Sequence, residues 1–409
     1  MRAALAALLL AAASIAAAPA AARDSAADAS AAAPNAAVAP AWEWRLPTGF
    51  PAPLEPADNP MSAARVELGR HLFYDRRLSG NRTQACASCH RQEHAFTDGL
   101  PHAVGSTGEK HRRSSMSLAN VAYAVSLTWA DPEKLRLEQQ ALVPMLGTTP
   151  VELGLAGLQA EVEARLAADP RYTTLLAAAF PGVPDPIQFE NVVRALACFE
   201  RTLLSGDSPY DQVVFQGRME AMSESAWRGM RLFYSARLAC SQCHAGFNFS
   251  GPVTYAGLPE APPARFHSTG LYNVDGHGAY PAIDRGLLEH TGRRGDMGRF
   301  KAPTLRNITL TAPYMHDGSL PTLEAVLDHY ARGGRAGGKS RSRSPLVAGF
   351  ALDEGERRDL LAFLTSLTDE SFVTDPRFGD PWPDEGGDGA SGADRQGGDD
   401  VTQRPAPQR

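Results

Sequence analysis

Two short stretches hold the residues best suited to chemistry: Cys86-Ala87-Ser88-Cys89-His90 and Cys240-Ser241-Gln242-Cys243-His244. In each, a pair of thiols is followed at once by an imidazole. That spacing allows two thioether bonds to the vinyl groups of one haem, with the adjacent histidine beneath the iron as its proximal ligand. A structural zinc site or a thioredoxin-like redox pair draws on similar residues, but the immediate histidine in both motifs favours haem. Cys86, Cys89, Cys240 and Cys243 are therefore the expected attachment points, and His90 and His244 the expected iron ligands. The fifth cysteine, Cys198, lies in the apolar-periodic stretch Val192-Val193-Arg194-Ala195-Leu196-Ala197-Cys198-Phe199 and reads as a buried core thiol.

The group opposite each iron separates an electron carrier from a catalyst. Six protein ligands pass electrons, whereas an open sixth position binds peroxide or oxygen. Candidates near the first motif are His94, His102 and His111; near the second they are Met297, Met315, His316 and Tyr330.

The elements that must position these groups are repeated. Gly69-Arg70-His71-Leu72-Phe73-Tyr74-Asp75-Arg76-Arg77-Leu78 precedes the first motif, and Gly229-Met230-Arg231-Leu232-Phe233-Tyr234-Ser235-Ala236-Arg237-Leu238 precedes the second. Both read G-x-x-L-F-Y-x-x-R-L and lead into Ala-Cys-x-x-Cys-His, with six extra residues in the first copy. A helix that packs its Leu-Phe face over a cofactor, followed by the attachment site, is thus used twice. Helical periodicity also marks Val151 to Ala168, Glu190 to Leu204, Glu224 to Tyr234, Leu323 to Ala331 and Glu354 to Leu367. Strand-type alternation is scarce. The expected fold is mainly α: two cytochrome c-like domains, each with one covalent haem, long loops and little β structure.

The bulk numbers agree with two domains. The 409 residues, 43% hydrophobic and 21% charged, exceed what one core usually organises. A net charge of -6 offers nothing to a nucleic acid, though a local docking patch for a redox partner is compatible with it. Met1-Arg2 and the apolar run Ala3 to Ala18, ending in Ala20-Ala21-Ala22, read as a signal peptide and place the mature protein in the periplasm. No later apolar run is long enough for stable membrane insertion. The expected organisation is a signal peptide (1–22), an Ala-rich linker (23–41), an N-terminal cytochrome c-like domain with the first haem (42–205), a C-terminal cytochrome c-like domain with the second (206–379) and a Gly/Asp-rich tail (380–409). The basic run Gly333 to Arg343 reads as a surface loop.

Over nearly all of residues 60–370 the chain resembles the bacterial di-haem cytochrome c peroxidase superfamily, which includes MauG. The resemblance rests on the two haem motifs, on Phe300-Lys301-Ala302-Pro303-Thr304-Leu305-Arg306-Asn307 and on Leu310-Thr311-Ala312-Pro313-Tyr314-Met315-His316-Asp317-Gly318. Ala95-Phe96-Thr97-Asp98-Gly99, Ser117-Leu118-Ala119-Asn120-Val121 and Leu127-Thr128-Trp129-Ala130 look closest to the MbnH-like branch, associated with methanobactin copper handling.

The resemblance implies Tyr330 as the distal ligand of the second haem, where ordinary cytochrome c peroxidases carry Met. It implies Glu152 as the proton shuttle above the first iron and Gln140, with Gln139 as substitute, as the amide that orients peroxide. Trp129 matches the inter-haem relay, and the carbonyls of Thr311 and Pro313 match ligands of a calcium ion between the domains. Two departures stand out: Ser114 replaces the calcium-binding Asn, and Ser106 replaces the distal His that caps the first haem in ordinary peroxidases. The implied activity is a MauG-like peroxidase in which hydrogen peroxide generates a charge-shared, high-valent di-haem state that oxidises a partner protein, at its tryptophan, by long-range electron transfer. An MbnP-like copper protein suits that role. The alternatives are an ordinary cytochrome c peroxidase fed by a small cytochrome c or cupredoxin, and a di-haem electron carrier without catalysis.

Overall fold

A computed structural model describes residues 42–335 and 342–382. The expected signal peptide and linker, the middle of the basic run and the tail beyond Trp382 lie outside the described residues.

The first half contains α1 (Ala63–Phe73), α2 (Cys86–Cys89), α3 (Leu137–Leu146), α4 (Gln159–Ala167), α5 (Pro170–Ala179) and α6 (Phe189–Arg201). The second contains α7 (Pro209–Gln216), α8 (Glu224–Phe233), α9 (Leu288–Thr291), α10 (Leu323–Ala331), α11 (Glu354–Thr365) and α12 (Glu370–Thr374). The described strands are two residues each, β1 (Phe266–His267) and β2 (Phe300–Lys301), paired antiparallel.

The sequence repeat becomes a repeated helix crossing. In the first half α1 lies across α6; in the second α8 lies across α11. Each crossing needs its glycine. A Cβ on Gly69 would sit 2.0 Å from the Ala195 carbonyl oxygen, and one on Gly229 would sit 1.8 Å from that of Asp359. Aromatic rings lock each crossing in the same pattern. Phe73 packs against Phe199 and Phe96 at 5.2 and 6.1 Å, and Phe233 against Phe363 and Phe249 at 5.1 and 6.0 Å. Local signals start these helices. Ser62 and Ser223 accept from the amides of Arg65 and Ala226, and Asp353 forms a reciprocal capping box with Glu356.

Among the described residues the two largest apolar cores form around these crossings. One gathers Leu68, Leu72, Leu196 and Leu203; the other gathers Leu238, Leu327, Leu360 and Leu367. Cys198 is buried beside the Asn59 side chain, and burial pushes its thiol up to about 11, as expected of an unreactive core cysteine. Beyond α11 the chain returns to the first core: Phe372 and Phe378 join it, Tyr74 donates to the Phe378 carbonyl at 2.6 Å, and Trp382 packs edge-on against His71. Within the second half a wholly buried Arg306 forks onto Asp211 of α7 at 2.7 and 2.9 Å.

One expected helix is shortened. Residues 151–158 are not helical, and α4 starts at Gln159. Gly154 and Gly157 both take left-handed φ, +68° and +77°, which a helix does not accommodate. Glu152 accordingly lies on a loop.

Candidate haem-binding sites

The first motif opens with the short helix α2 and ends on His90. Its Nδ1 lies 2.9 Å from the Phe96 carbonyl oxygen, which can only accept, so Nδ1 carries the proton and Nε2 is left unprotonated for a metal. Phe96 presents that carbonyl from a left-handed conformation, φ +62°, held by complete burial of its ring. Burial also lowers the His90 pKa and keeps the imidazole neutral, the form that binds iron.

His90, Cys86 and Cys89 line a cavity. The same wall carries Gln140, Glu152, Glu200 and His111. Gln139, the considered substitute for Gln140, is exposed and off this wall. The Glu152 carboxylate lies 3.8 Å from the His111 Nε2, and burial raises its pKa. Its loop is pinned because the Glu152 carbonyl accepts from the Ser106 amide at 2.7 Å. Gly105 permits that approach: a Cβ there would meet the Val151 carbonyl oxygen at 1.8 Å. Of the three histidines considered for this iron, only His111 reaches the cavity. His94 contacts Arg91 instead, and His102 is not among the lining residues.

The second motif forms a single 3-10 turn. His244 repeats the first arrangement with two acceptors, the Phe249 and Pro303 carbonyls, both 3.1 Å from Nδ1. Phe249 is again a buried aromatic with positive φ, +49°. On α10, Tyr330 lies within electrostatic reach of Cys243 and Cys240; burial first, then those thiols, pushes its phenol up. A metal ion reverses that preference, because coordination deprotonates the ligand. The other candidates lie elsewhere: His316 stacks on Phe300 at 3.7 Å, and Met297 and Met315 pack in the cluster around Phe300, Tyr280 and Tyr314.

Trp129 packs against this same cluster. Its Nε1 donates to the Ser114 carbonyl at 2.9 Å, its own carbonyl accepts from the Lys301 amide at 2.8 Å, and its ring centre lies 6.4 Å from that of His316. Ser114 in turn donates from Oγ to the Met315 carbonyl at 3.1 Å. Trp129 thereby joins the chain after the first motif to the Phe300–His316 region. Thr311 and Pro313 lie close by in sequence, but no cluster of acidic, histidine or cysteine ligands forms there among the described residues.

Both sites fit haem on their own chemistry: thiol pairs, histidines with the tautomer fixed by carbonyls, and an adjoining cavity at each motif. The family description "Di-haem cytochrome c peroxidase" matches residues 63–220, and a RoxA-like, cytochrome c-like description matches 299–335. The chain belongs to the di-haem cytochrome c peroxidase and MauG family. It is 36% identical over 336 residues to the methylamine utilization protein MauG of Methylorubrum extorquens, covering 82% of this chain and 86% of that protein. It is also 36% identical over 367 residues to the cytochrome-c peroxidase IdrP1 of Denitromonas iodatirespirans, covering 84% and 93%. Among solved structures, a MauG-like protein associated with microbial copper homeostasis shares 46% identity with a TM-score of 0.80, covering 84% of this chain and 100% of that one. The chain is thus a di-haem oxidoreductase built from cytochrome c-like units, with haem as its cofactor class.

Proposed function

We propose that this is a periplasmic MauG-type peroxidase that reduces hydrogen peroxide and takes the two electrons from a partner protein, a tryptophan side chain being the preferred donor. Each turnover converts one peroxide and two protons to two waters while the partner loses two electrons. A haem with an open sixth position supplies peroxide activation, and one with six ligands supplies electron transfer.

The protein's residues do the rest. His90, its tautomer set by Phe96, would hold the first iron. Glu152, on the cavity wall, accepts a proton from peroxide and returns it to the departing oxygen, as a positioned carboxyl does. Gln140 orients the bound peroxide. His244 and Tyr330 hold the second iron, and Trp129 relays electrons between the halves. The carbonyls of Thr311 and Pro313 take a calcium ion that braces the two halves.

The observation that carries the reading is the position of Tyr330 on α10, within electrostatic reach of Cys240 and Cys243. A hard anionic oxygen donor lowers an iron potential, whereas Met raises it. The likeness to the copper-homeostasis relative supports a copper-linked partner, an MbnP-like copper protein. No helix among the described residues is long and apolar enough to cross a membrane.

A second reading has one observation in its favour. His111 lines the first cavity and has the chemistry to cap the first iron at rest. That is the ordinary cytochrome c peroxidase, which needs prior reduction and an electron-donating cytochrome or cupredoxin. Tyr330→Met separates the two. In the MauG-type reading the variant raises the second-haem potential and abolishes peroxide-driven oxidation of a partner by the all-ferric protein. Unchanged potential and unchanged peroxide reactivity in this variant would reject it.

A further inference from the structure

Glu200 is a carboxyl that no role above uses. On α6 it falls on the apolar face, one turn beyond Leu196, and both line the first cavity. The residue is 6% exposed, and its Oε2 has no hydrogen-bond partner among the described residues. Its neighbour Arg201 does not supply one. Arg201 Nη2 is engaged by Glu138 Oε1 at 2.7 Å, and that same oxygen also accepts from Asn59.

The repeat gives an internal control. Phe199 and Phe363 occupy the same place in the two helix crossings, so Glu200 corresponds to Leu364. Leu364 is a buried core residue of the second half. The fold therefore accepts a plain apolar side chain here, and the carboxyl is specific to the first copy, where it lines the cavity beside His90. An unpaired buried carboxyl costs stability, and such groups are kept where function uses them.

We infer that Glu200 is the redox-linked proton site of the first haem. When that haem loses an electron, the carboxyl releases its proton to solvent and its negative charge offsets the positive charge gained. When the electron returns, the proton returns with it. The physical ground is that an uncompensated charge in a low-dielectric cavity is costly, so electron and proton move together. The charged groups facing Glu200 are Arg201 from its own helix, which favours the carboxylate, and Glu138 from α3, which opposes it. Glu152, Glu109 and His111 line the same cavity. Burial, the largest influence, pushes the carboxyl up to about 8, so it is protonated at neutral pH and can be emptied just above it.

This inference rests on haem occupying the first site. The test is potentiometric titration of both haems in the holoprotein at a series of pH values, for wild type, Glu200→Gln and Glu200→Leu. A haem count on each sample identifies any loss of the cofactor itself. The first-haem potential should fall as pH rises between about pH 7 and 9, the slope should vanish in Glu200→Gln, and the second haem should behave alike in both. An equal slope in Glu200→Gln overturns the assignment. Infrared redox-difference spectra of the wild type provide a check that needs no variant. A protonated-carboxyl stretch lost on oxidation and shifted in D₂O supports the assignment, and its absence overturns it.

Discussion

Each haem-facing residue owes its state to its immediate neighbours. Burial keeps the two motif histidines neutral, and a left-handed phenylalanine fixes their tautomer by turning its carbonyl toward Nδ1, at Phe96 and again at Phe249. Glu152 illustrates the opposite adjustment, since burial raises its pKa toward the working range of a general base. Its base form exists only above that raised value, so peroxide reactivity should fall on acidification at a pH higher than an ordinary carboxylate would give. Glu152→Gln should remove that acid limb and slow the peroxide step by about 10²–10⁴-fold, measured by rapid mixing, with haem content unchanged. An unaltered pH profile would exclude Glu152 as the base. The candidate attachment residues stand out in the sequence because their chemistry is contiguous along the chain. Glu200 was not: only the fold shows that this glutamate lines a cavity while its repeat counterpart is Leu364.

The helices were legible where one apolar face recurs without interruption. The α8, α10 and α11 expectations match within two residues at each end, and the glycine in each G-x-x-L-F-Y copy turned out to be the contact point of a helix crossing. The extension of α4 back to Val151 failed because an apolar pattern outweighed two glycines whose left-handed backbone only the folded loop requires. No helix was expected at α3, where Pro144 interrupts the pattern; the proline lies near the C-terminal end and the helix stops at Leu146. The crossings give a sharp test. Gly69→Ala and Gly229→Ala place a methyl against a backbone carbonyl that cannot step aside. Each should cost about 1–3 kcal/mol or more in denaturant unfolding, far beyond the few tenths expected if the glycines were merely flexible. A loss confined to one variant would show that the two crossings are not equivalent.

At the scale of the whole chain, one unit is used twice and the copies are then made different. Both halves keep the glycine crossing, the aromatic lock and the carbonyl-held histidine. They diverge in the side chains gathered at each motif: Gln140, Glu152 and Glu200 line the cavity beside the first, and Tyr330 lies within electrostatic reach of the thiols of the second. This asymmetry divides peroxide chemistry from electron transfer in the proposed function. Trp129, tied to Ser114 and Lys301, sits where the first half's chain meets the second half's motifs. The sequence repeat announced the duplication, while the division of labour depended on which side chains the fold gathers around each motif. The most direct measurement is an electron paramagnetic resonance spectrum of the all-ferric holoprotein, repeated after one equivalent of hydrogen peroxide with no reductant. The account predicts one high-spin and one low-spin haem signal at rest, both lost on adding peroxide. Two low-spin signals that ignore peroxide until the protein is half-reduced would contradict it and establish the capped, ordinary peroxidase in its place.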